Sequence, residues 1–124
     1  MIALETSSMI AYLSGEAGID VNAIERALWL RESIFPPVVV TELLTDQTLP
    51  AETAAFIREI PQLKILAGYW ERAGELRASL RGLGVKTALA DTLIAQSCLD
   101  HKVALITRDS DFRHFARHAG LQLR

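Results

Sequence analysis

The chain has 124 residues, a formal net charge of −2, 50% hydrophobic and 23% charged residues, seven Gly, four Pro and one Cys. That balance excludes a disordered tail, a collagen-like repeat, a disulfide-stapled mini-protein and a pair of full-sized domains. A compact domain near this length buries roughly two-thirds of its unfolded surface, so one domain spanning residues 1–124 is expected, without structural metals or disulfides. Cys98 sits among Leu93, Ile94, Ala95 and Leu99 and reads as buried filler, which fits a reducing, cytoplasmic setting. The longest apolar run, Ile34 to Val40, is interrupted by Pro36 and Pro37, and the amino terminus carries Glu5 and no basic stretch. Neither a membrane span nor a signal peptide is expected.

In chain order, Met1 to Leu4 reads as a buried strand ending at a helix cap in Thr6-Ser7-Ser8. Met9, Ile10 and Leu13 suggest a brief helix stopped at Gly15, and Asp20 is placed to cap a longer one carrying Ile24, Ala27, Leu28 and Leu30. The β-branched Val38-Val39-Val40 predicts a strand whose start the prolines confine to an edge or bulge, with Thr41 capping a helix from Glu42. Pro50 opens a helix that Pro61 closes, and Leu63 to Leu66 is a candidate short strand. Trp70, Ala73, Leu76 and Leu80 have helical spacing, ended by Gly82-Leu83-Gly84. Thr87 is expected to cap an apolar helix from Ala88 to about Asp100. Val103 to Thr107 then reads as a fully buried strand, Asp109 or Ser110 as the cap of a last helix through His118, and Leu121 to Leu123 as an edge strand. Strands alternating with helices imply an α/β fold, a mostly parallel sheet covered on both faces.

Charge is uneven along this order. Residues 1–62 hold three Arg or Lys against nine acids, whereas residues 63–124 hold ten against six and all three histidines. If Arg77, Arg81, Lys86, Arg108, Arg113 and Arg117 share a face, the molecule attracts polyanions despite its acidic total; a solvated surface is the competing reading.

Four acids stand out by position: Glu5 after the first strand, Glu42 at the opening of the helix after the second, Asp91 in a first helical turn, and Asp109 after the strand ending at Thr107. The carboxyl edge of a parallel sheet is where distant residues converge on ligands. Two like charges about 4 Å apart repel by roughly 4 kcal/mol at an effective dielectric of 20, so four converging acids demand a counter-ion. With only oxygen ligands on offer, that ion would be a hard divalent cation, Mg²⁺ or Mn²⁺. Taken singly, Asp109, Asp91 and Glu42 also suit helix caps or first turns. Glu5, directly after an apolar strand, needs a partner in any reading.

Four blocks carry a family resemblance: Ile2-Ala3-Leu4-Glu5-Thr6-Ser7, Val40-Thr41-Glu42-Leu43, Leu89-Ala90-Asp91-Thr92-Leu93-Ile94-Ala95 and Leu105-Ile106-Thr107-Arg108-Asp109-Ser110-Asp111-Phe112. In order and spacing the chain resembles a PIN-domain ribonuclease of the VapC toxin type. The resemblance implies a three-layer α/β/α fold, an acidic Mg²⁺ or Mn²⁺ pocket, endonucleolytic RNA cleavage and inhibition by a cognate antitoxin. It also implies a homodimer, which the apolar excess of the helices before Pro61 supports. Residue by residue, Asp91, Glu42 and Asp109 match the family's acids, with Glu5, Asp91 and Asp109 expected on the metal. Thr6 and Thr107 look like the hydroxyl neighbours of those acids.

Glu5 departs from the family, which has an aspartate there. The extra methylene moves the carboxylate, and Mg²⁺ tolerates misplacement poorly. Weakened activity, a preference for Mn²⁺, and an inactive protein that binds RNA or antitoxin all stay open. Arg108 and Lys86, flanking acid-bearing blocks, are candidate phosphate contacts, with ion-paired or solvated roles as the alternative. A histidine-driven ribonuclease is disfavoured because His101, His114 and His118 lie outside the acidic blocks. A receiver-type switch would need an aspartate after the middle strand, where Ala67-Gly68-Tyr69 stands, and no strand is followed by a glycine-rich phosphate loop.

Overall fold

Three short parallel strands organise the chain. β1 (Ile2–Leu4) is central, flanked by β2 (Ser33–Ile34) and β3 (Ala104–Ile106), with Ile2 opposite Ser33 and Ala104. The computed structural model describes residues 1–124. All three residues of β1 are buried, with no alternation of face, as a strand covered by helices on both sides requires. The helices are α1 (Thr6–Leu13), α2 (Ile19–Trp29), α3 (Pro37–Leu44), α4 (Ala51–Glu59), α5 (Tyr69–Gly82), α6 (Leu89–His101) and α7 (Arg113–Ala119). α1 packs on α2 and α3, and α6 packs on α3 and α5. The α/β/α reading holds.

The core gathers Leu4, Met9, Ile24, Phe35, Val39, Ile57, Ile94, Leu105, Phe112 and Phe115, all fully buried. Cys98 lies in the same core on α6, and burial pushes its thiol up to about 12. At roughly 1.5–3 kcal/mol per large apolar side chain, such burial decides local structure wherever propensity is indifferent.

The valine run shows this. Val38-Val39-Val40 belongs to α3 and not to a strand. Pro37 sits in the first helical turn, where its missing N–H is no loss, and Val39 and Leu43, four apart, both reach the core. Three valines cost a helix about 2 kcal/mol at most, less than burying Val39 and Leu43 returns. The sheet therefore receives only Ser33–Ile34 from this region, and Glu42 lies in the second turn of α3 instead of opening it. Thr41 caps nothing, since α3 has no side-chain cap.

Smaller corrections follow the same logic. The segment Leu63 to Leu66 forms no strand; the sheet gains only an isolated parallel bridge between Phe35 and Gln62. Leu121 to Leu123 likewise contributes a single bridge, Leu105 to Leu123. Neither Asp20 nor Thr87 caps its helix: α2 starts after Gly18 and α6 after Ala88, without side-chain caps. The α1 cap is Glu5, not a residue of the Thr6-Ser7-Ser8 cluster.

Candidate active site

The acids assemble at the carboxyl ends of β1 and β3. The amide of Glu5, the residue after β1, donates to the Ile106 carbonyl at 3.0 Å, which sets Glu5 beside Thr107. The Glu5 side chain then turns back over the start of α1. Its Oε2 accepts from the Ser7 amide (2.8 Å), the Ser8 amide (3.4 Å), the Ser7 hydroxyl and Thr107 Oγ1 (3.1 Å). All four bonds go to one oxygen of a carboxylate that is 4% exposed. Burial raises the Glu5 pKa from its ordinary value, against the pull of Ser7, Thr107 and Ser8.

Asp109 follows β3 and is fixed from both sides. Its amide donates to Thr107 Oγ1 at 3.0 Å, and its Oδ1 accepts from the Asp111 amide at 2.9 Å, capping the 3₁₀ turn Ser110–Phe112. Asp91 enters from the first turn of α6. Carboxylate oxygens of Asp91, Asp109 and Asp111 all lie within 4.8 Å of one another. Burial, and then the charges of Asp109, Glu5, Glu42 and Asp111, push Asp91 up to about 6. The exposed Glu42 is oriented by Thr6 Oγ1, which donates to its Oε1 at 2.6 Å.

Every acid singled out in the sequence thus bears on Asp91, although Glu5 and Glu42 stand outside the tight three-acid set. Thr6 and Thr107 are hydrogen-bonded to Glu42 and Glu5, as their positions suggested. Asp111 is the residue that sequence reasoning passed over. The Asp109-Ser110-Asp111 spacing was the available signal, because a tight turn brings two such carboxylates to one side.

The two basic candidates differ. Arg108 points away from the acids into a bidentate pair with Asp20 (Nε to Oδ2 2.8 Å, Nη2 to Oδ1 3.1 Å), with further contacts to Glu16 and the Ala17 carbonyl. Lys86 is exposed before α6 and forms no ion pair.

Three carboxylates at this separation suit a hard divalent cation in donor type and charge. The elevated Asp91 reflects burial first and then repulsion from the neighbouring acids, and such an ion would offset both.

Comparison with known proteins agrees with this geometry. No curated protein matches the sequence significantly. Among solved structures, VapBC2 from Rickettsia felis bound to a promoter DNA fragment matches at 21% identity and TM-score 0.72, covering 100% of this chain and 98% of that one. FitAB bound to the IR36 DNA fragment matches at 19% identity and TM-score 0.72, covering 100% and 94%. FitAcB from Neisseria gonorrhoeae matches at 20% identity and TM-score 0.71, covering 99% and 96%. The family model for the PIN domain matches residues 2–118. With that match over nearly its whole length, the chain belongs to the PIN domain family, a family of nucleases.

Proposed function

We propose that this chain is a metal-dependent endoribonuclease, the toxin of a toxin–antitoxin pair, hydrolysing RNA phosphodiesters with Mg²⁺ or Mn²⁺. The observation that carries the reading is the convergence of Asp91, Asp109 and Asp111 within 4.8 Å, with Glu5 and Glu42 close enough to raise Asp91. Asp91, Asp109 and Asp111 would hold the ion, with Glu5 completing the set if its free Oε1 turns inward. When bound, such an ion stabilises charge on the phosphoryl oxygens and lowers the pKa of the attacking water.

The protein's own contribution is placement and protonation state. The Thr107 hydroxyl fixes the Asp109 backbone and the Asp111 amide holds its Oδ1, which orients the carboxylate toward the site. Thr6 holds Glu42 by Oε1, leaving Oε2 to orient a water and accept its proton. Asp91 must be ionised to bind the ion, so the affinity for it would rise with pH up to about 6 and level off above.

The partners follow from the same reading: an RNA substrate, a cognate antitoxin and a second copy of the chain, in the cytoplasm. The antitoxin follows from the toxin reading, and the fold is that of VapBC2 and FitAB, both solved bound to DNA fragments. No helix is long and apolar enough to cross a membrane.

The test is cleavage of a labelled RNA in Mg²⁺ or Mn²⁺, with Asp91→Asn and with EDTA. Each change abolishes cleavage; cleavage that survives both overturns the assignment. A second reading, a PIN protein that binds RNA or antitoxin without cutting, is favoured by Glu5 committing Oε2 to the α1 cap. Activity confined to Glu5→Asp would select it.

A further inference from the structure

An acidic cleft repels the polyanion it is proposed to cut, so cationic groups must hold the neighbouring phosphates. The molecule sets aside three such groups. Arg77 and Arg81, one helical turn apart on α5, meet Lys86 in a polar pocket of about 530 Å³ completed by Gly84 and Thr87. No carboxylate lines it, and the ion pairs of the molecule use Arg72 and Arg108 only. Like charges one turn apart destabilise a helix, and no ion pair offsets them here.

The pocket is also built. Arg77 Nε donates to the Thr87 carbonyl at 3.2 Å, which pins the guanidinium to the wall and leaves its terminal nitrogens without a protein partner. Thr87 Oγ1 is 2.9 Å from Thr92 Oγ1, and Thr92 is the neighbour of Asp91. One wall of the basic pocket is thereby tied to the helix that carries the central acid. On the other side Arg77 and Arg81 border a groove of about 370 Å³ lined by Trp70, Ala73, Leu89 and Leu93, with Trp70 60% exposed. Phosphate-binding cations beside an exposed aromatic surface suit a single strand, whose unstacked bases need an apolar face.

We propose that Arg77, Arg81 and Lys86 form a phosphate-binding pocket for single-stranded RNA leading to the acid cluster, with bases lying along the Trp70 groove. The proposal rests on the ribonuclease reading for its substrate class, and its test is made independent of cleavage. Binding of a labelled single-stranded oligoribonucleotide of roughly ten nucleotides is measured by anisotropy in EDTA, across a salt series. Arg77→Gln/Arg81→Gln weakens binding by about fivefold or more and reduces the salt slope by about 1.4, at roughly 0.7 per phosphate contact on a single strand. Lys86→Gln moves both in the same direction by less. These side chains reach solvent, so the variants fold, and circular dichroism checks it. Unchanged affinity and slope overturn the pocket even if the wild-type protein cleaves RNA. Binding lost in the double variant upholds it even if the wild-type protein cleaves nothing. A variant that changes from dimer to monomer with RNA affinity intact makes this face a subunit contact and overturns the proposal.

Discussion

Asp91 carries opposite consequences for stability and for chemistry. Its carboxyl, held at about 6 against an ordinary 3.8, keeps its proton longer in the folded chain than in the unfolded one. Its contribution to stability is therefore whole below about pH 4 and lost as pH rises through 6. Asp91→Asn is expected to stabilise the metal-free protein at pH 7 by about 1 kcal/mol, after discounting for the solvent that reaches this half-buried group. Urea denaturation measures that gain in the same variant that loses cleavage. A destabilised variant would mean that burial and the neighbouring acids do not penalise the Asp91 carboxylate. Glu5 is raised by burial as well, but four donors converge on one of its oxygens. Glu5→Ala strands the Ser7 and Ser8 amides and the Thr107 hydroxyl, and should cost about 1–3 kcal/mol. Glu5→Gln, which still offers an acceptor, should cost less in the same denaturation series.

Among elements, the sharpest contact is the clamp between the first turn of α2 and the segment after β3. Arg108 grips Asp20 through two bonds, and Ser8 on α1 donates to the same carboxylate at 2.7 Å. The Arg108 hydrogen bond comes first among the causes that hold Asp20 down at about 2. A depressed carboxyl adds stability above about pH 4 and loses it as pH falls toward 2. Arg108→Ala should flatten that acid limb of the stability curve, read by thermal melts at stepped pH. Gly18→Ala attacks the clamp from below, since a Cβ there would stand 2.5 Å from Asp20 Oδ1 and 3.0 Å from Arg108 Nη2. The clamp also shows why elements were unevenly legible in the sequence. β1, β3 and α5 could be read because each carries an unbroken apolar run or a clear helical period. Asp20 looked like a cap because a local pattern cannot reveal a partner 88 residues away. Val38 to Val40 looked like a strand because propensity was the only term visible before α3 met the core.

At the scale of the molecule, the positions of residues 5, 91 and 109 were legible as ends of strands and a first turn once a parallel sheet was assumed, whereas Glu42 was read from a strand that α3 replaces. What the sequence hid was distance: that Asp111 replaces Glu5 in the tight set follows from a 3₁₀ turn and a retracted glutamate. A cation binding only the folded chain should raise its stability by about 2.7 kcal/mol at a hundredfold excess over Kd. Melts in Mn²⁺ should show that rise for the wild type and not for Asp91→Asn. The lone sulfhydryl of Cys98 offers a second view of the same coupling. Sealed in the interior and uncharged at neutral pH, it is invisible to an alkylating reagent until the helix it shares with Asp91 comes away from the sheet. The labelling rate is then a built-in clock for that opening, and a manganese ion gripping one end of the helix should slow it.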